Sequence, residues 1–121
     1  MKPIRIAAGA LNQIPLDWQR NADNIRRAIN DARNQGVTIL CLPELCITGY
    51  GCEDAFLSAG TLEMAKEILV ELVEQTTGMI VSFGLPILLG GTVYNAACLV
   101  ADGRILGFVC KKNLAGDGIH Y

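Results

Sequence analysis

Few residues of this chain could act on a substrate, and Glu44 stands out by its position. It follows the apolar stretch 37–42 and Pro43, and is followed at once by Leu45, Cys46 and Ile47. Residues 37–42, Val-Thr-Ile-Leu-Cys-Leu, have the composition of a strand buried on both faces of a parallel sheet. Pro43 cannot continue the ladder, so the strand ends there. An acid between apolar neighbours at that point must be paired, hydrogen-bonded or shifted in its protonation. The C-terminal strand ends of open α/β sheets are also where ligands bind. Two readings stay open: Glu44 takes part in chemistry, or it only accepts hydrogen bonds from loop backbone.

The other candidates are weaker. Lys111 and Lys112 flank a strand-like run and, taken alone, read as surface lysines. Cys41, Cys98 and Cys110 lie in apolar runs and read as small core hydrophobes. Five cysteines without a Cys-x-x-Cys pair favour reduced thiols over disulfides. The single histidine, His120, leaves a zinc site little to draw on and reads as a loop residue.

The elements that must position Glu44 follow from periodicity. Residues 4–11 read as a first strand. Asp17 caps a helix over 18–35, with Ala22, Ile25, Ala28, Ile29 and Ala32 on one stripe. Arg20, Arg26, Arg27 and Arg33 lie mostly off that stripe, on a solvated face. Strand two is 37–42. A loop of about eighteen residues follows, with a short helix at 53–58; loops this long in compact domains are usually functional. A second helix spans 61–76. Strand three begins at Met79 and continues towards Leu88. Gly90-Gly91 turns the chain into strand four, 92–101, and Asp102-Gly103 is a hairpin signal leading to strand five, 104–111.

This order fixes directions. Two helical crossovers make the first three strands parallel. Each of the two following turns reverses the chain, so strand five runs parallel to strand two. Lys111-Lys112 therefore leaves the sheet at the same edge as Glu44. Periodicity alone does not supply their separation.

Composition bounds the class. The 121 residues make one domain or part of one, and 51% hydrophobic against 18% charged content is ample for a core. A net charge of −2 and the lack of a basic stripe argue against nucleic-acid or anionic-membrane partners. No apolar run approaches a membrane span and no signal peptide opens the chain, so a cytoplasmic location is expected.

Three stretches resemble the nitrilase (carbon-nitrogen hydrolase) superfamily, and more closely the glutaminase domain of glutamine-dependent NAD+ synthetases. They are residues 10–18 with Asn21, residues 42–50 with Glu53-Asp54, and residues 94–98 with 102–107 leading into Lys111. The resemblance covers essentially the whole chain. It implies the N-terminal part of a four-layer α-β-β-α sandwich, with a mixed sheet, two crossover helices on one side, and homo-oligomers.

The family's catalytic set is Glu-Lys-Cys. Glu44 matches the glutamate, which takes the thiol proton and returns it to leaving ammonia. Lys111 matches the lysine, which stabilises the oxyanion formed from the glutamine side chain. Lys112 is the alternative if the register slips by one. Tyr50 and Asp117 fall where substrate contacts are implied, although Asp117 replaces a tyrosine of many bacterial members. Asn113-Leu114-Ala115 also replaces the frequent His-Leu-Pro.

The family's nucleophile follows a further strand beyond the lysine, and none of the five cysteines stands in that context. Residues 1–121 are thus expected to be a partial glutaminase domain, inactive alone, with the remainder and a synthetase domain outside the chain. The resemblance implies no cofactor in this part, and ATP with Mg2+ in the synthetase domain. The implied parent hydrolyses glutamine and passes ammonia to nicotinic acid adenine dinucleotide. The alternatives are a stand-alone amidase of the superfamily and a degenerate, non-catalytic oligomerisation module.

Overall fold

The computed structural model describes residues 2–112. The elements run β1 (Ile6–Ala8), α1 (Trp18–Asn34), β2 (Ile39–Cys41), a 3-10 helix (Glu53–Leu57), α2 (Ala59–Val73), a 3-10 turn (Glu74–Thr76), β3 (Ile80–Leu89), β4 (Thr92–Ala101) and β5 (Arg104–Cys110). They form an α/β fold with one five-stranded mixed sheet in the order β1-β2-β3-β4-β5. The β1/β2 and β2/β3 pairs are parallel, and the β3/β4 and β4/β5 pairs antiparallel.

Local chemistry accounts for the boundaries. The Asp17 carboxylate accepts from the Arg20 N–H at 3.2 Å and caps α1. Ala22, Ile25, Ile29 and Ala32 form its buried stripe. In α2, Ala65, Leu69 and Leu72 face the same way, and both helices pack on one face of the sheet through a shared core with Leu40, Val81, Phe83, Cys98 and Val100. Not all the arginines are purely solvated. Arg26 bridges Asp23 and, across to α2, Glu71. Arg33 donates to the backbone carbonyls of Gln75 and Thr77, at the end of the second helical segment, where carbonyls welcome a cation.

Two expectations need correction. The first strand is paired over only three residues, because after Gly9 the chain leaves the ladder to contact the loop that carries Glu44. The stretch 37–42 is not buried on both faces. Leu40 and Leu42 are buried, whereas Cys41, expected in the core, is exposed on the face opposite the helices. The third strand runs on through Gly84 and Pro86 to Leu89, as expected. Asn95, the partner of Pro86, takes the Lys111 N–H on its β5 side, so Pro86 faces away from β4, beyond the end of β2, where no ladder donor is needed.

The face without helices carries Ile6, Leu99 and Val109, 68%, 41% and 72% exposed. Among the described residues nothing covers it.

Candidate active site

Glu44 sits on an elbow built from two touching loops. After β2 the Leu42 N–H still bonds Ser82, and the chain then turns tightly, with the Cys46 N–H donating to the Pro43 carbonyl at 3.2 Å. Leu45, buried, takes φ +53°, a left-handed conformation that costs a non-glycine residue about 1 kcal/mol or more. Its backbone lies directly on β3 at Gly84. A Cβ on Gly84 would stand 2.3 Å from the Leu45 nitrogen and 2.6 Å from the Pro43 oxygen. Only glycine permits this approach.

The stretch 10–18 braces the elbow from the other side. Gln13 donates to the Cys46 carbonyl at 2.8 Å, and the Leu16 N–H to the Thr48 carbonyl at 2.7 Å. Fully buried Asn21 holds this stretch in shape, accepting from the Ile14 N–H and donating to the Ile14 carbonyl. Gly49, φ +88°, passes against Ile14 and Pro15, where a Cβ would be 2.8 Å from backbone. The two sequence stretches are therefore one structural unit, an acid holder.

The holder presents Glu44 to the open face of the sheet. Its neighbours Leu45, Cys46 and Ile47 are buried, but the carboxylate is not, with 42% of the side chain exposed. Of the possibilities open for such an acid, it is paired and hydrogen-bonded. The Lys111 ammonium lies 3.0 Å from Oε1, and the Asn95 amide donates to the same oxygen at 2.5 Å. A cavity of about 260 Å³ opens beside them, lined by Cys41, Ser82, Gly84, Ala97 and Val109 as well.

The choice between Lys111 and Lys112 is made by a β-bulge. Near the hairpin Val100 pairs with Ile105, yet Leu99 pairs with Gly107, so Leu106 is an extra residue in β5. A one-residue slip swaps the faces of all that follows. The bulge brings Lys111 opposite Asn95, with the Lys111 N–H bonded to the Asn95 carbonyl at 2.8 Å, and onto the face of Glu44. Lys112 is exposed beside it and makes no ion pair with Glu44 among the described residues. Tyr50 is exposed and does not line the cavity beside Glu44. Asp117, like His120, lies outside the described residues.

Sequence reasoning missed Asn95 and Gly84. A polar side chain amid the apolar residues of strand four was the available signal for the first; a glycine inside a strand was the signal for the second.

No thiol is hydrogen-bonded to Glu44 among the described residues. Cys46 exchanges weak contacts with Gly84, and burial pushes its thiol up to about 12; burial likewise raises Cys52, and Cys98 to about 11. These are inert, protonated core thiols. Cys46, Cys52, Cys98, Cys41 and Cys110 are all unpaired. No group of metal-ligating side chains occurs among the described residues, and no helix there is long and apolar enough to cross a membrane.

A mixed half-open sheet with an acid and a lysine meeting at one strand-end edge defines the class. The family model for carbon-nitrogen hydrolases matches residues 5–115, and the chain belongs to that family, the nitrilase superfamily. A glutamine-dependent NAD(+) synthetase of Arabidopsis thaliana is 38% identical over 120 residues, covering 98% of this chain and 17% of the relative. The crystal structure of a glutamine-dependent NAD(+) synthetase from Cytophaga hutchinsonii superposes with a TM-score of 0.94 at 51% identity, over 98% of this chain and 20% of that one. The structure of a glutamine-dependent NAD+ synthetase from Acinetobacter baumannii, in complex with adenosine diphosphate, gives 0.91 at 26%, over 99% and 23%. The match lies in the N-terminal part of the glutaminase region of these synthetases. The chain spans about a sixth to a quarter of their length.

Proposed function

We propose that this chain is the N-terminal part of a glutaminase domain that releases ammonia from glutamine for ATP-dependent synthesis of NAD+ from nicotinic acid adenine dinucleotide. The observation that carries the reading is the meeting of Glu44 and Lys111 at 3.0 Å beside a cavity on the open sheet face. An ion pair this exposed contributes at most about 1 kcal/mol to stability. A strained Leu45 and a mandatory glycine are a poor bargain for that alone, and strain of this kind collects at functional sites.

In this reading the open face meets the second half of a four-layer sandwich, which brings a cysteine thiol to Glu44. Glu44 accepts the thiol proton, and the thiolate attacks the side-chain amide carbon of glutamine. Lys111 offers its ammonium to the oxyanion of the tetrahedral intermediate. The C–N bond breaks as Glu44 returns the proton, ammonia leaves, and a thioester remains. Glu44 then takes a proton from water, which attacks the thioester, and glutamate and the free thiol follow. Amidation of the dinucleotide belongs to an ATP-using domain outside these residues.

The test uses the full-length protein with two nitrogen sources. Free ammonia bypasses the glutaminase. Lys111→Ala should lower the glutamine-dependent reaction by roughly 10²-fold or more and leave the ammonia-dependent one in place. Equal losses with both sources would reject the role of Lys111.

A further inference from the structure

We propose that Asn95 is a positioning residue that selects which oxygen of Glu44 receives the proton. The inference rests on the reading of Glu44 as the general base. Asn95 and Lys111 both donate to Oε1, at 2.5 and 3.0 Å, and among the described residues no donor reaches Oε2. With Oε1 engaged twice, Oε2 is the oxygen left to exchange a proton. The two donors are not equivalent. Lys111 must also serve the oxyanion, so its ammonium is shared between carboxylate and substrate during the reaction. Among the described residues the Asn95 side-chain amide serves the carboxylate alone. It carries no charge, and so can orient the carboxylate without neutralising it.

Asn95 is also the better anchored partner. It lies within β4, paired with Pro86 on one side, and its carbonyl takes the Lys111 N–H at 2.8 Å on the other. Glu44 is held on a loop. The amide therefore ties a loop carboxylate to the middle of the sheet, and the same residue sets the backbone of the lysine. Holding a reacting group to within a fraction of an ångström is the kind of contribution whose loss costs one to two orders of magnitude in rate.

The experiment compares Asn95→Asp, which keeps the shape and loses the donor, with Asn95→Ala and Asn95→Gln in the full-length protein. Asp and Ala should lower kcat with glutamine by roughly 10- to 100-fold, with KM within about twofold, while ammonia-dependent turnover is kept. Gln, which retains the donor, should recover part of the loss. In a Glu44→Gln background, Asn95→Ala should add little, because the two residues act through one another. Wild-type kcat in Asn95→Asp beside a crippled Glu44→Gln overturns the inference and spares the reading of Glu44. Equal losses with glutamine and ammonia, or full additivity with Glu44→Gln, also overturn it. Intact glutamine hydrolysis in Glu44→Gln overturns both.

Discussion

The two faces of the sheet are built on different principles. The helix-covered face is a continuous apolar core, with Phe83, Val81, Val100 and Cys98 fully buried beneath α1 and α2. The other face carries Ile6, Leu99 and Val109 in the open, and at one end the Glu44, Asn95 and Lys111 cluster. The first stabilises the chain. The second is an apolar surface with a polar site at its margin, and apolar surface left in the open marks a place where something else docks. Residues that alternate along β4 belong to the two regimes in turn, so neighbours in sequence should respond very differently to substitution.

Phe83→Ala should show the largest effect on stability. It empties a fully buried site on the covered face and should cost about 3–5 kcal/mol, read by denaturant unfolding. A loss below 1 kcal/mol would mean that the covered face is not the core. Gly84→Ala comes next. Its Cβ would strike the backbone of Pro43 and Leu45, and overpacking of this sort costs roughly 1–3 kcal/mol. It should also displace the elbow, so that glutamine-dependent turnover falls by more than the stability loss explains.

Leu99→Ser should do little to stability, within about 0.5 kcal/mol, because the side chain lies on the face without helices and is 41% exposed. It should instead reduce self-association of the 121-residue chain, measured by sedimentation. Unchanged self-association would show that the open apolar face is not the sticking surface. The thiols give the mildest and most local contrast. At neutral pH an alkylating reagent should modify exposed Cys41 on the open face well before Cys46 and Cys98, which burial holds protonated at about 12 and 11. Since folding raises these two thiols, the unfolded chain loses their protons first. Stability should therefore decline as pH climbs past their ordinary value of 9.0. Equal labelling rates for Cys41 and Cys46 would contradict the assignment of faces.

Much of this was legible in the sequence. Helical periodicity located α1 and α2, turn chemistry located the β4/β5 hairpin, and counting strand directions put Glu44 and a lysine at one edge. What was not legible is what direction alone does not determine. The extra Leu106 in β5 has no marker of its own, yet it decides that Lys111 rather than Lys112 faces the acid. Apolar strand composition suggested burial on both faces, because it reports what a surface is made of and not whether a partner layer lies against it. Asn95 gave no sign of its partner, since a contact between β4 and a loop fifty residues earlier depends on register and on the elbow over Gly84 together.

In the proposed function, the Glu44 carboxylate on the open face moves the proton in amide hydrolysis. Glu44→Gln keeps the shape while removing the base. Its most direct test is the initial rate of the folded full-length variant with glutamine and with free ammonia, measured side by side. The glutamine rate should fall by roughly 10²-fold or more while the ammonia rate stays near wild type. A glutamine rate equal to wild type, or equal losses with both nitrogen sources, would contradict that role of Glu44.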